Sequence, residues 1–450
     1  MGTFHIRKGR DIKLKGAAAK EIVNAPVPPK VAIQPTDFRG IKPRPLVDAG
    51  DTVKVGTPIL TDKTHPDIKI VSPVSGKVVA VNRGEKRILL QIVIATDGRQ
   101  EPLIFAQYRP ADIKNLSREK IIQQLLEGGV WPFIRQRPFS KIAHPEDKPK
   151  SIFIQAVNTE PLALDIDFIL NGKESLFQAG LDIVSKLTGG DTHLCFGGHA
   201  SSKALTEAKN VKAHRFIGPH PAGNVSTFIH HIDPIKKGDV VWYLNAQDIL
   251  RIGHLFLNGI FSPERYVVVT GEGAQNRAYM KTIIGAPLGI LLKSGVNTSE
   301  QRYISGSVLM GIEAGKDGFL GFYDTQISVI PQGGKRNFLG WLSPGFKAYS
   351  FTKTFVSSFF PKKEISLDTD THGSPRAIVL NDIYDSLLPL DIMTFFLIRA
   401  VIGGDIEEAE KLGILECDEE DFALCSFACP SKTDVGAIIK SGLDLIEKEG

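Results

Sequence analysis

At 450 residues the chain is too long for one hydrophobic core, and two to four domains are expected. A hydrophobic fraction of 42% with 23% charged residues is ordinary for a globular protein and excludes a disordered or fibrous chain. The net charge of +4 is small for this length, and no dense basic block interleaved with aromatics argues for nucleic acid.

The longest basic cluster is HIRKGRDIKLKG (5–16), read as a solvated, strand-forming segment. No charged start followed by an apolar run marks a signal peptide, and no stretch approaches the ~18 apolar residues of a spanning helix. The protein is therefore expected to act outside the bilayer. Four cysteines, Cys195, Cys417, Cys425 and Cys429, are too few for a disulfide scaffold and point to a reducing compartment.

Residues 45–98 alternate short β-branched runs with Gly, Pro and Asp turns, which predicts a small all-β unit. The order Gly50-Asp51-Thr52-Val53, Gly56, then Ser72-Pro73-Val74-Ser75-Gly76 resembles the lipoyl/biotinyl carrier type of barrel-sandwich hybrid. Carriers present one lysine at a hairpin tip. Lys63 is out of register for that role and reads as a solvated turn residue.

The texture changes over about 110–255. LSREKIIQQLLEGG (116–129) has helical spacing, with Ser117 as its cap and a Gly pair as its stop. KSIFIQAV (150–157), DTHLCFGG (191–198) and KNVKAHRFIG (209–218) read as strands, and 163–190 as helical. Strands alternating with helices predict an α/β layer with a parallel sheet. Next, RYVVVTGEG (265–273) and RYISGSVLMG (302–311) read as strands flanking a helical stretch, YMKTIIGAPLGILLKSG (279–295), a β-grasp-like order. The remainder reads as mainly helical. The fold class is thus α+β and multidomain. A β domain occupies 1–105, a Rossmann-like α/β domain 106–260, a β-grasp-like domain 261–335 and a helical domain 336–450.

Familiar catalytic patterns fail one by one. Gly271-Glu272-Gly273 follows a strand, but Asn276 stands where G-x-G-x-x-G needs its third glycine, so this is a turn. Gly334-Lys335 is followed by Arg336, so there is no P-loop. No G-x-S-x-G or H-E-x-x-H occurs. His193, His199, His214, His220, His230 and His231 cluster in sequence without ligand spacing, and His230-His231 on a strand would face opposite ways. Gly218-Pro219-His220-Pro221-Ala222-Gly223-Asn224 is a rigid loop around one histidine, either structural or a contact loop. Cys425-x-x-x-Cys429-Pro430 is the tail of a ferredoxin pattern whose other ligand positions hold Glu419 and Phe422. Phe351, Phe355, Phe359 and Phe360 are spaced as one face of a helix, for the core or for docking onto an apolar partner.

These pieces, in this order, resemble the A subunits of the Na⁺-translocating NADH:quinone oxidoreductases over essentially the whole chain. The likeness is carried by VNRGEKRILLQIVI (81–94), RQRPFSKI (135–142), GPHPAG (218–223), ISGSVLMG (304–311) and the end from EEDFALCSFACPSK (419–432). The resemblance implies a peripheral subunit on the cytoplasmic face of a bacterial inner membrane, held to the membrane-embedded B subunit. The complex passes electrons from NADH to ubiquinone and exports Na⁺. It implies no cofactor in this chain, with flavins and Fe–S centres in partner subunits. Ubiquinone is a possible contact. The family is also similar to the flavin subunit of respiratory complex I, which has a Gly-rich flavin loop where this chain continues Val130-Trp131-Pro132-Phe133. If quinone binds here, an aromatic surface formed by Trp131, Phe133 or the Phe351, Phe355 and Phe359 face is expected. His220 joins these as a contact candidate. A self-contained flavin or NADH enzyme and a pure scaffold stand as the competing readings.

Overall fold

The computed structural model describes residues 1–292, 300–334, 340–346, 348–360, 364–380 and 382–449. Residues 30–96 form two small sheets. One orders Lys30–Ile33, Leu89–Thr96, Gly76–Arg83 and Thr52–Val53; the other orders Pro43–Pro45, Pro58–Asp62 and Lys69–Val71. Their buried residues, among them Val31, Val53, Ile59, Ile70, Val78 and Ile92, belong to a core that runs on into the next unit through Trp131, Phe177 and Trp242. Alternation along Gly76–Arg83 begins buried, exposed, buried, exposed, as a one-sided strand requires. Gly76 makes the approach between strands possible: a Cβ there would lie 1.9 Å from the Ala95 carbonyl oxygen.

The second unit is a seven-stranded sheet with Ser151–Ala156 at its centre. Asp191–Gly197 and Lys212–Ile217 extend it on one side and Val241–Asn245 on the other, all parallel. Ser117 caps the Arg118–Glu127 helix as expected, its hydroxyl accepting the Lys120 N–H at 3.4 Å. The helices Glu174–Val184 and Ala246–Asn258 pack closely, since Gly180 and Gly253 leave no room for a Cβ.

The third sheet orders Ile312–Glu313, Gln301–Ser305, Gln326–Pro331, Glu264–Thr270, Ala278–Ile283 and Ala19–Asn24. A helix over 279–295 is thereby corrected. Ala278–Ile283 is a strand antiparallel to Glu264–Thr270, and the helix is only Leu288–Leu292. The β-branched Thr282 and Ile283 suit a strand, and Gly285 at φ +70° breaks the run. The last part of that stretch lies outside the described residues.

The first 24 residues, expected as the solvated start of the β domain, belong elsewhere. Gly2–His5 is the parallel edge strand beside Lys212–Ile217, and Ala19–Asn24 is the edge strand beside Ala278–Ile283. Ile6, Ile12 and Leu14 are buried between them. The lysines and arginines of this segment alternate with apolar anchors, so it is a clasp across the molecule rather than a free basic strand.

The C-terminal region contains the helices Ile383–Leu387, Thr394–Gly403, Ile406–Lys411, Ala423–Ala428 and Val435–Glu449 around a separate core. The phenylalanine helix expected over 350–360 is not formed. That segment holds only the 3₁₀ turn Val356–Phe359, and Lys353 sits at φ +57°. Ser350, Thr352 and Thr354 hydrogen-bond one another through their hydroxyls, the competition that disfavours helix. His230 and His231 lie on the helix Val225–Ile232, not on a strand.

A polar cleft at the switch point of the parallel sheet

The chain leaves the central strand Ser151–Ala156 in one direction, through Asp191–Gly197 and Lys212–Ile217. It then crosses back to add Val241–Asn245 on the other side. The loops after the central strand and after Val241–Asn245 diverge at that reversal. In open α/β sheets a ligand crevice forms there, beyond the carboxyl ends of the strands. Such a cleft is present, of about 170 Å³. The sheet supplies Gln155, Asn158, Glu160, His220, Asn224 and Asn245; the antiparallel strand Arg135–Arg137 supplies Arg135. The third sheet covers it with Ser307, Tyr323, Asp324 and Gln326, and Glu420 of the C-terminal region closes one side.

Most polar groups of the cleft are already satisfied by the protein. The Asn158 amide donates to Glu160 at 3.0 Å, and the Ser307 hydroxyl donates to the other Glu160 oxygen at 2.5 Å. Asp324 accepts the Ser305 hydroxyl at 2.5 Å, and its burial pushes its carboxyl up. Glu420 accepts from Arg137 at 2.8 Å and keeps 37% of its side chain exposed. His220 faces the Thr159 hydroxyl at 3.2 Å, and burial lowers its imidazole to about 4, so it is neutral at physiological pH. Its loop is fixed from outside: the His220 N–H donates to Asp11 at 3.0 Å and its carbonyl accepts the Arg10 N–H at 2.7 Å.

Arg135 is different. Its Cζ lies over the Tyr243 ring at 4.6 Å and over the Tyr323 ring at 4.7 Å. Among the described residues its guanidinium has no hydrogen-bond acceptor and no carboxylate within ion-pair distance, and the Glu420 carboxylate attracts it from further off. Tyr323 is itself pinned, its hydroxyl donating to the Pro132 carbonyl at 2.7 Å.

The structure separates the residues singled out in the sequence. His220 lines the cleft. Trp131 and Phe133 do not form an exposed aromatic surface: they are 0% and 1% exposed, which corrects that expectation. The Trp131 indole donates to the Ala143 carbonyl at 2.7 Å and meets Trp242 edge-on. Phe133 stacks on Phe322 with centroids 4.7 Å apart and lies under the Arg251 guanidinium at 4.1 Å. A short 3₁₀ turn preceded by Gly129 drives both rings inward. Phe351 is half-buried on the C-terminal core under Arg10, at 4.9 Å, and Phe355 rests on Gly345. Phe359 and Phe360 are 79% and 65% exposed. None of these phenylalanines lines the cleft. The four cysteines are buried free thiols, and the Tyr384 hydroxyl donates to Cys429 Sγ at 3.0 Å. Lys63 is exposed.

Sequence reasoning missed Arg135, Asn245, Tyr323, Asp324 and Glu420. Arg135 stood inside RQRPFSKI, a stretch noticed only as a family signature. Asn245 was legible as a helix cap, since its side chain accepts the Gln247 N–H at 3.0 Å. Tyr323, Asp324 and Glu420 reach the cleft only through tertiary contacts.

Comparison with known proteins gives a consistent picture. Three family models match: the NqrA N-terminal barrel-sandwich hybrid domain over 4–97, the NqrA second alpha/beta domain over 116–261 and the NQRA C-terminal domain over 266–315. The A subunit of the Na(+)-translocating NADH-quinone reductase of Yersinia pseudotuberculosis is 38% identical over 448 residues, 99% of each chain. The proteins of the same name from Tolumonas auensis and Hahella chejuensis are 39% and 40% identical over 446 residues, again 99% of each chain. Among solved structures, the air-oxidized NAD⁺-reducing [NiFe]-hydrogenase overlaps 77% of this chain and 66% of its own, at 12% identity and a TM-score of 0.39, too distant to bear on function.

Proposed function

Because the chain belongs to the family of the A subunits of Na⁺-translocating NADH-quinone reductases, we propose that it works as that component of a complex that couples electron transfer from NADH to ubiquinone to Na⁺ export. The observation that carries this reading is identity of 38–40% spread over 99% of both chains, so that every part of the relatives has its counterpart here. In this reading the chain is peripheral, on the cytoplasmic face of the inner membrane and docked to the membrane-embedded B subunit. Among the described residues no helix is long and apolar enough to cross a membrane, which is compatible with that placement. Flavins and Fe–S centres belong to partner subunits, and this chain supports quinone reduction and assembly without a redox centre of its own.

A barrel-sandwich unit lies within 1–105, an α/β unit within 106–260, a β-grasp-like unit within 261–335 and a helical unit within 336–450. The β-grasp reading is supported by the order Ala278–Ile283, Glu264–Thr270, Gln326–Pro331, Gln301–Ser305, in which the inner pair is parallel and the outer pairs antiparallel. For contact with quinone or a partner, exposure favours Phe359 over the half-buried Phe351 and Phe355, and His220 is the candidate in the cleft. Trp131 and Phe133 are assigned to the core instead.

The test uses membranes of the source cell lacking this chain. Na⁺-stimulated quinone reduction by NADH and Na⁺ uptake by inverted vesicles should both be lost, and both should return when the chain is supplied. Full Na⁺-dependent activity without the chain would refute the assignment. A stoichiometric flavin spectrum from the purified chain would refute the absence of a redox centre.

A further inference from the structure

Arg135 is the one cleft cation left without an acceptor among the described residues, and its surroundings restrict what could supply one. Tyr243 and Tyr323 lie against the guanidinium at 4.6 and 4.7 Å, and a guanidinium attracted to aromatic rings in this way still carries five N–H donors. Two of these N–H groups form the fork that binds a carboxylate through two parallel hydrogen bonds. The helices Val225–Ile232 and Ala246–Asn258 begin at Asn224 and Asn245, both in the cleft wall, and their amino ends add positive potential.

The same cleft carries Glu160, Asp324 and Glu420. Each is engaged, by Asn158 and Ser307, by Ser305, and by Arg137 respectively, yet a carboxylate oxygen accepts more than one hydrogen bond. An anion of high charge would be repelled by these acids, whereas a ligand with one negative charge and a hydroxyl would satisfy Arg135 and donate to an acid at once. Size narrows the class further. The cavity measures about 170 Å³. That is well below the ~300–1,000 Å³ of pockets that enclose drug-sized ligands.

We propose that this cleft is a binding site for a small monoanionic hydroxycarboxylate, its carboxylate on Arg135 and its hydroxyl directed to the acidic wall formed by Glu160 and Asp324. The site is independent of the assignment to the sodium-pumping complex and can be tested on the full purified chain alone.

Calorimetric titration of the chain with lactate, with propionate and with inorganic phosphate tests it. Lactate should bind saturably at one site. Propionate, lacking the hydroxyl, and phosphate, with its higher charge, should bind several-fold more weakly. R135Q should lose about tenfold or more of lactate affinity, the loss expected for charge-assisted hydrogen bonds. R135K should lose most of the same, because a point charge cannot reproduce the fork. The unfolding midpoint of each variant establishes that it is folded. If R135Q does not fold, E160Q in the intact arginine background decides the matter by a weakened preference for lactate over propionate. No saturable lactate binding, or unchanged lactate affinity in folded R135Q, overturns the site. Equal affinity for lactate, propionate and phosphate overturns the ligand class.

Discussion

The guanidinium of Arg137, with 0% of its side chain exposed, donates to Glu420 across 2.8 Å. The contact joins the strand Arg135–Arg137 of the parallel-sheet unit to the C-terminal region, 283 residues away in sequence. Asp418 stands 3.4 Å from the same guanidinium and also takes the Ser140 hydroxyl at 2.6 Å, and Arg39 reaches Asp418 at 3.0 Å. Arg137 and Asp418 are buried, at 0% and 9% side-chain exposure, while Glu420 keeps 37% of its side chain exposed, so the Arg137–Asp418 contact is the one that has left water behind.

Arg137→Ala should therefore cost about 3 kcal/mol, the low end for breaking a buried pair, because Asp418 loses one of its two cations while Arg39 remains and Glu420 is partly exposed. Glu420→Gln should cost less, since Asp418 still accompanies Arg137 and the amide still accepts a hydrogen bond. Urea unfolding followed by circular dichroism measures both. An Arg137→Ala loss no greater than that of Glu420→Gln would show that the network does not hold the two regions together.

Phe133 is expected to behave as a core residue. It is 1% exposed, stacked on Phe322 and covered by Arg251. Phe133→Ala should destabilise the chain by about 3–5 kcal/mol, the range for emptying a phenylalanine site. Phe133→Leu should cost much less. The comparison is made by equilibrium unfolding, and a near-neutral alanine variant would contradict the burial.

Asp37 makes stability depend on pH in a defined direction. Its carboxylate accepts the Phe322 N–H at 2.7 Å, and burial pushes the carboxyl up to about 7, with Asp324 adding to the rise. The folded value lies above the unfolded value of about 4. The native chain therefore holds a proton that the unfolded chain has released, and this contribution to stability is complete below about pH 4 and is lost as pH rises toward 7. Asp37→Asn should flatten the fall in unfolding midpoint across that window. An unchanged pH profile in the variant would rule Asp37 out as its source.

Local chemistry was readable from sequence where the determinant is local. Ser117 before REKIIQQLLE and the alternation in GKVVAVNR specify a cap and a one-sided strand within a few residues. The cleft was less legible. Its position follows from strand order, which depends on where the chain crosses back over the sheet, and no short motif encodes that. Tyr323 and Asp324 come from the third sheet, and Glu420 from the C-terminal region; only folding brings them to Arg135. The aromatic pattern misled for a related reason. Trp131-Pro132-Phe133 looks alike in sequence whether its rings face solvent or core, and the choice is made by Trp242 and Phe322, more than a hundred residues further on. The phenylalanines at 351, 355 and 359 had helical spacing, but the intervening serine and threonine hydroxyls bond locally instead.

The loop that carries His220 into the cleft depends on the amino-terminal clasp. Gly9 has φ +118°, and a Cβ there would stand 2.2 Å from the His220 carbonyl oxygen. Its own N–H donates to the Ser386 carbonyl at 3.0 Å, so it is held from the opposite side as well. Asp11 accepts the His220 N–H at 3.0 Å. Gly9→Ala meets both an unfavourable backbone conformation and a backbone atom that cannot rotate away, and should cost about 1–3 kcal/mol or more. Asp11→Ala removes one charge-assisted hydrogen bond and should cost about 1.5–3 kcal/mol. The two variants should differ at the imidazole. Displacing the loop in Gly9→Ala admits water to His220, so its protonation should move up from about 4 toward the ordinary value near 6.5. Asp11→Ala removes a nearby negative charge and leaves the burial, so the imidazole should stay low. An NMR titration of the His220 ring protons distinguishes them, and an imidazole that stays low in folded Gly9→Ala would show that the clasp does not position the loop.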